Sequence, residues 1–307
     1  MSDDYLWDRS GSPDREVKTL EDLLAPLGHD APLDELRLRK RSKLPWIAGA
    51  LVIAAAAALA IVLVRPRDTD SCAGYRYERD GDAGTLCVGA TLDTGGARKT
   101  VLALGDIGHA ELAANTRLTL DRLQPDAQHL TLDRGWMHAK VNAPPRLFQV
   151  ATPSADVVDL GCEYTLEIDA DGAGRLAVSY GQVELATKSG AIVVAPAGTH
   201  ATILPGRVPG LPVADGAPRE VEAAVAAIDH GDAGAVAALL AAATPRDAIT
   251  LVNLAALDDA HRRVVLERLA TLSPPPAGTT VDSAMDPKQL QPWMDDVRLD
   301  QRFRVEH

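Results

Sequence analysis

The run YTLEIDADGAGRLAVSYGQVELA (Tyr164–Ala186) alternates apolar and polar residues on both sides of a turn-rich insert. Tyr164, Leu166 and Ile168 recur at every second position, and so do Leu176, Val178 and Tyr180, which is the period of a strand with one buried face. The insert Asp169–Gly174 is rich in Asp and Gly, residues that turn a chain, so Tyr164–Ile168 and Leu176–Tyr180 are predicted to form a hairpin. Gly181 then marks a bend before Gln182–Ala186. Working outward, the same alternation recurs in short segments: Thr100–Leu104, Ala110–Ala113, Arg117–Leu120, His129–Leu132, Trp136–Val141, Arg146–Ala151, Val157–Leu160, Ala191–Val194 and Thr199–Leu204. Strands at this spacing, with no helical run between them, predict a mainly β domain over 99–206, built as a stack, a sandwich or a short solenoid.

Downstream the period changes from two to that of a helix. Arg219–Asp229, Ala233–Ala243, Pro245–Leu257 and Asp259–Leu272 read as four short helices, with a turn at His230–Asp232 and Thr244 as a cap. They predict a small α-helical bundle over 217–272. Residues 273–307 open with Ser273-Pro-Pro-Pro and carry one more short helix around 287–297, in which Trp293 is an anchor for docking.

Upstream, Leu44–Val64 (LPWIAGALVIAAAAALAIVLV) contains no charged residue over twenty-one positions. As a helix it is about 30 Å long, the thickness of a bilayer's hydrocarbon core, and so is predicted to be one N-terminal transmembrane helix. Arg37, Arg39, Lys40, Arg41 and Lys43 precede it, against Arg65 and Arg67 after it, which places the N-terminus in the cytoplasm. A cleaved leader is the poorer reading, because the segment before the apolar run is too long. The expected organisation is a cytoplasmic tail over 1–43, a span over 44–64, a juxtamembrane segment over 65–98 and an exported remainder.

Residues 1–36 hold ten acids and three bases. Ser12 and Pro13 suit the start of a helix on which Val17, Leu20, Leu23, Leu24 and Leu27 form an apolar stripe. A helix this short is marginal alone in water and needs something to lie on. Its acidic polar face would be repelled by anionic lipid, so the stripe, with Tyr5 and Trp7 upstream, is expected to dock on a protein partner.

Composition narrows the function. The formal net charge is −12 and aromatics make up 4% of the chain, a poor match to a phosphate backbone, so direct nucleic-acid binding is not expected. The three cysteines show no metal-ligand spacing. Cys72 and Cys87 would close a short loop outside the membrane, although three cysteines allow two other pairings. The eight histidines include no HxH or HxxxH pair. His109 near Asp106, and His230 beside Asp229 and Asp232, read as turn residues. With no GxSxG, phosphate loop or HExxH motif, the reading assigns no catalytic, metal or cofactor-binding residue, and no enzyme activity.

Four segments together resemble a FecR-type domain: HLTLDRGWMHAKV (His129–Val141), FQVATPSADVVDLGCEYTLEI (Phe148–Ile168), LAVSYGQVEL (Leu176–Leu185) and VVAPAGTHATILPG (Val193–Gly206). Gly135, Thr152, Pro153, Gly161, Gly181, Ala197 and Gly198 fall in step with that family's pattern, with Cys162 where Thr is commoner. The resemblance implies a single-pass regulator of the bacterial inner membrane. Its exported β domain meets an envelope protein or ligand, and its short tail binds an extracytoplasmic-function sigma factor. The alternative left open by the residues is an envelope-binding or scaffold protein with no sigma-factor role.

Overall fold

A computed structural model of the chain describes residues 72–305 and, upstream, Arg15, Lys18 and Thr19. Those three are helical and exposed, with Thr19 Oγ1 donating to the Arg15 carbonyl at 2.8 Å. The apolar stripe Val17–Leu27, Tyr5, Trp7 and the span predicted over 44–64 lie outside the described residues. Among the described residues no helix is long and apolar enough to cross a membrane.

Residues 72–305 form fifteen strands followed by five α-helices. The strands are β1 (Gly74–Arg79), β2 (Asp82–Cys87), β3 (Thr91–Asp93), β4 (Thr100–Ala103), β5 (Gly108–Leu112), β6 (Arg117–Gln124), β7 (Ala127–Val141), β8 (Phe148–Ala151), β9 (Asp156–Asp159), β10 (Glu163–Ile168), β11 (Gly174–Tyr180), β12 (Gln182–Ala186), β13 (Ile192–Pro196), β14 (Thr199–Ile203) and β15 (Val213–Ala214). They make two sheets, ordered β2-β1-β4-β5-β7-β10-β11-β14-β15 and β3-β6-β7-β8-β9-β12-β13, with β7 common to both. All neighbours are antiparallel except β7 and β8. One apolar core, with Phe148, Tyr164, Leu118 and Leu166 among its members, draws side chains from both sheets. Of the architectures open to the sequence, this is the sandwich.

The long strand β7 explains why the sequence pattern splits it in two. Leu130 and Leu132 point inward in its first half, whereas Met137, Ala139 and Val141 do so in its second. The parity changes because the pairing passes from Leu118↔Leu132 to Arg117↔Arg134, leaving Asp133 without an opposite residue. Gly135 follows with φ +104°, and a β-carbon there would collide with the backbone of Thr116. The fully buried Thr116 makes up for the disturbed ladder: its Oγ1 accepts the Trp136 N–H and donates to the Trp136 carbonyl, both at 3.1 Å. Gly181, at φ +73°, is the corner at which the chain leaves β11 in the first sheet for β12 in the second. Gly161 and Gly198 stand between β9 and β10 and between β13 and β14, at two further crossings. The glycines that carried the FecR resemblance are therefore the points where the chain changes sheets.

Strands β1–β3 occupy part of the segment expected to be juxtamembrane. They escape the alternation test because they lie toward the sheet edges, and β1 buries Tyr75 alone among its six residues. A disulfide joins Cys72 to Cys87 with a Cα–Cα distance of 5.6 Å, tying the start of this region to the end of β2.

The helices are α1 (Arg219–Asp229), α2 (Ala235–Ala242), α3 (Ala248–Leu257), α4 (Arg262–Leu272) and α5 (Pro287–Val305). They build a second core around Leu239, Ile249, Val265, Leu266 and Trp293. Residues 245–247, read from sequence as the start of a helix, form a 3-10 turn closed by a capping box between Thr244 and Asp247. The last helix is longer than the expected 287–297. It belongs to the core and not to a tail, with Trp293 fully buried and its indole N–H donating to the Ser273 carbonyl at 3.2 Å.

Helix α3 joins the two cores. All eight residues from Ala248 to Ala255 are buried, including two polar ones. Asn253 lies against the outer edge of β13, accepting the Val194 N–H at 3.0 Å and donating to the Val194 carbonyl at 3.3 Å. Its side chain thus stands in for the missing neighbour strand. Thr250 Oγ1 donates to the Pro212 carbonyl at 2.6 Å, just before β15. An open strand edge is a template for unwanted pairing, and here a helix closes it.

Candidate functional site

The segment between β14 and β15 cannot continue the ladder. Pro209 and Pro212 carry no N–H, so Gly210 and Leu211 supply the segment's central donors. The Gly210 N–H reaches the Thr202 carbonyl at 3.0 Å, and the Leu211 N–H reaches Asp229 Oδ1 at 3.1 Å. Asp229 is the last residue of α1 and is buried. Its other oxygen, Oδ2, lies close to Gly210 and has no hydrogen-bond partner. Burial pushes its carboxyl up to about 7, against a smaller opposing pull from the Leu211 amide. The negative end of the α1 dipole adds to the cost of charge there.

Two clefts meet at this carboxyl and share Asp229 and Leu211 in their walls. One, of about 230 Å³, is polar: Arg175 on β11, His200 and Thr202 on β14, and Glu222 on α1 line it. His200 is held by Asp215 at 3.3 Å. The other, of about 180 Å³, is an aliphatic trough between the 208–211 segment, the end of α1, α2 and α3. A third cavity, of about 470 Å³, lies near the disulfide between β1, the 103–107 turn and β7. There the Tyr75 hydroxyl donates to Gln128 Oε1 at 2.5 Å, and burial raises its pKa.

Elsewhere the titratable groups serve the fold. The Cys162 thiol, which is not in a disulfide, donates to Asp159 Oδ2 at 2.5 Å, and Asp159 Oδ1 accepts the Gly161 N–H at 2.7 Å. Desolvation first, then the neighbouring Asp159, pushes the thiol up, so it holds a corner and is a poor nucleophile. Burial likewise raises Asp159. On the solvent face of the first sheet, Glu163 meets Lys140 at 3.1 Å and His138 at 3.2 Å, and the Lys140 contact leads in holding the carboxyl below its usual range. Among the described residues no three His, Cys, Asp or Glu side chains gather as they would around a metal ion. His109 and His230 are exposed.

The sequence-predicted partner-binding residues Tyr5, Trp7, Val17, Leu20, Leu23, Leu24 and Leu27 fall outside the described residues, so the structure brings none of them together. The sequence reading took Asp229 for a turn residue, whereas it is buried at the end of α1, and it passed over Asn253. Asn253 left a signal: Thr250 and Asn253 are three apart in the otherwise apolar run AITLVNLAAL, and polar groups on a buried helix face need partners. Asp229 left none, because an acid before a His-Gly turn looks like any other turn residue.

Compared with known proteins, residues 90–184 match the family model described as FecR protein. The matched stretch runs from just before β3 into β12, and includes the corners at Gly135, Gly161 and Gly181 but not Ala197 and Gly198. No curated protein matches the chain. Two crystal structures of a protein provisionally described as an anti-sigma factor, from Parabacteroides distasonis, are similar to it at 19% identity and a TM-score of 0.36. Each alignment covers 43% of this chain, and 63% and 62% of the respective structures.

Proposed function

We propose that this protein is a single-pass regulator in the bacterial inner membrane. Residues 44–64 span the bilayer, the FecR-type sandwich and its helices lie outside, and the tail 1–43 binds an extracytoplasmic-function sigma factor. The observation that carries the reading is the FecR match over 90–184 in a chain that also holds twenty-one successive uncharged residues upstream. The stripe Val17, Leu20, Leu23, Leu24 and Leu27 supplies the contact surface, with Tyr5 and Trp7 beside it. The role is regulatory rather than catalytic. The exported part meets an envelope protein or ligand, and the change is relayed through the span.

The test is to isolate the full-length chain from its native host and identify by mass spectrometry what it retains. A Leu20→Asp/Leu24→Asp variant is the comparison. A sigma factor held by the wild type and lost by the variant supports the reading. An intact, membrane-inserted chain that holds no sigma factor refutes it. Removal of residues 1–36 separates the scaffold alternative, since a scaffold keeps its envelope behaviour and a regulator loses or locks its transcriptional output.

A further inference from the structure

The cavity of about 470 Å³ lies where the first sheet splits. Strands β1 and β4 pair from Arg79↔Thr100 to Tyr77↔Leu102. Beyond that point the 103–107 turn peels away, so Gly74, Tyr75 and Arg76 have no neighbour strand on that side. Leu123 and Gln128, opposite one another in the β6–β7 hairpin, close the cavity from the second sheet. Leu104 is fully buried in its wall, and Ile107 and Leu123 are half-buried.

Gln128 stands at an inward position of β7, two residues before Leu130 and opposite the buried Phe148, where an apolar residue is the rule. Its Oε1 accepts the Tyr75 hydroxyl at 2.5 Å. Its Nε2 has no hydrogen-bond partner among the described residues and is not sealed from solvent, so its N–H groups are open to a ligand. Burial raises Tyr75, which keeps the pair neutral. Arg76 alternates with Tyr75 and turns its side chain to the other face of the sheet, and Asp106 is exposed on the turn. The recess therefore offers aliphatic walls, a neutral floor and one unspent amide donor. An apolar cavity of this size with a few fixed polar groups has the usual form of a ligand site.

A charged group entering the recess would leave water and meet no charge beyond the exposed Asp106 at its rim. A neutral group with an oxygen acceptor answers Gln128 Nε2, and an aliphatic chain leaves water favourably for the walls. The volume has room for roughly fifteen water-sized groups, enough for one leucine residue with both its peptide groups. The free side of β1 gives such a chain a strand to lie along. We propose that the cavity binds an aliphatic residue of an extended peptide, its side chain against Leu104, Ile107 and Leu123 and its carbonyl on Gln128 Nε2. This deepens the reading that the exported part meets an envelope protein or ligand, and rests on it only for the side of the membrane from which the peptide comes.

The probe is N-acetyl-leucine N-methylamide, titrated into the full chain in lipid nanodiscs, with empty nanodiscs as the blank for partitioning. Saturable binding is expected, with hydrogen exchange slowed in β1 and the 103–107 turn. The asparagine analogue, and leucine N-methylamide with its free ammonium, are each expected to bind at least tenfold more weakly. Gln128→Glu keeps the acceptor for Tyr75 but loses the donor, and is expected to weaken the probe about tenfold or more. Leu123→Trp fills the cavity and is expected to abolish binding, with an unchanged sheet content as the check on folding. The Leu20→Asp/Leu24→Asp variant, which tests the sigma-factor contact, is expected to bind the probe as the wild type does, so the two readings fail separately. Equal binding of the leucine probe and either analogue, undiminished binding by Gln128→Glu or Leu123→Trp, protection elsewhere than this cavity, or no saturable binding overturns the proposal.

Discussion

Replacing Asn253 by Leu removes the side chain that closes the edge of β13 while keeping its bulk. The Val194 N–H and carbonyl, now bonded at 3.0 and 3.3 Å, would be left facing a hydrocarbon in a buried interface. Each orphaned group costs about 1–3 kcal/mol. The Ile249 carbonyl loses the Asn253 side-chain amide at 2.8 Å but keeps the backbone hydrogen bond of its own helix, so it adds little. The expected loss is about 4 kcal/mol, a large share of the roughly 5–15 kcal/mol that holds a domain together. Urea unfolding gives the total, and hydrogen exchange of the peptide covering Ile192–Pro196 localises it. If the reasoning holds, the Val194 amide exchanges far faster in the variant, by up to about a thousandfold. Asn253→Asp gives an independent sign: it keeps an acceptor for the N–H but sets a carboxylate against two carbonyls, so it is expected to recover stability on acidification. A loss below about 1 kcal/mol, with Val194 protection unchanged, would refute the view that this side chain acts as the missing strand.

Three further outcomes follow from the same geometry. Gly181→Ala forces a side chain into φ +73° and against the Gly161 carbonyl, and is expected to cost at least the roughly 1–3 kcal/mol of a strained backbone, read as a fall in melting temperature. Asp229 has its carboxyl raised to about 7 in the fold, so its contribution is complete below the unfolded value near 4 and is lost as the pH rises to 7. Wild-type stability should therefore fall across that window by up to about 4 kcal/mol. Asp229→Asn should remove most of that slope, as seen by urea midpoints at pH 5 and 8. Opening the Cys72–Cys87 bridge by a double Ser substitution frees a loop with sequence separation 15 and should cost about 3 kcal/mol on the loop-entropy account, with faster exchange concentrated in β1 and β2.

The sandwich was legible wherever a strand buries one face. The hairpin of β10 and β11 pairs Leu166 with Leu176 across the DADGAG turn, where alternation and the Asp/Gly-rich insert put it. The same rule broke down inside β7. Its bulge at Asp133 inverts the inward parity, so one continuous strand shows two short patterns with a gap between them. It was silent for β1–β3, which bury too few side chains to display a period, and for β15, which has only two residues. Helix α5 was read short because its second half, beyond Val297, presents mostly polar and charged residues. Helical backbone continues there without an apolar stripe to announce it.

What binds the helices to the sheets depends on partners far along the chain, and a sequence displays those only as anomalies. Asn253 finds Val194 across a separation of 59 residues, and Asp229 finds Leu211 across 18. An amide in the middle of eight buried residues is an anomaly that can be read, because no such helix stays stable with its polar side chains unanswered. The inference stops at the existence of a partner, since nothing local says that the partner is a strand edge. Asp229 is harder still. Its backbone neighbours are ordinary, and what singles it out is the free Oδ2, which exists only once Pro209 and Pro212 have stripped the facing segment of donors. Leu211 already satisfies one oxygen, so a neutral donor that answers the second should stabilise the ionised form of Asp229, draw its carboxyl back toward the usual range and flatten the pH dependence of the urea midpoint.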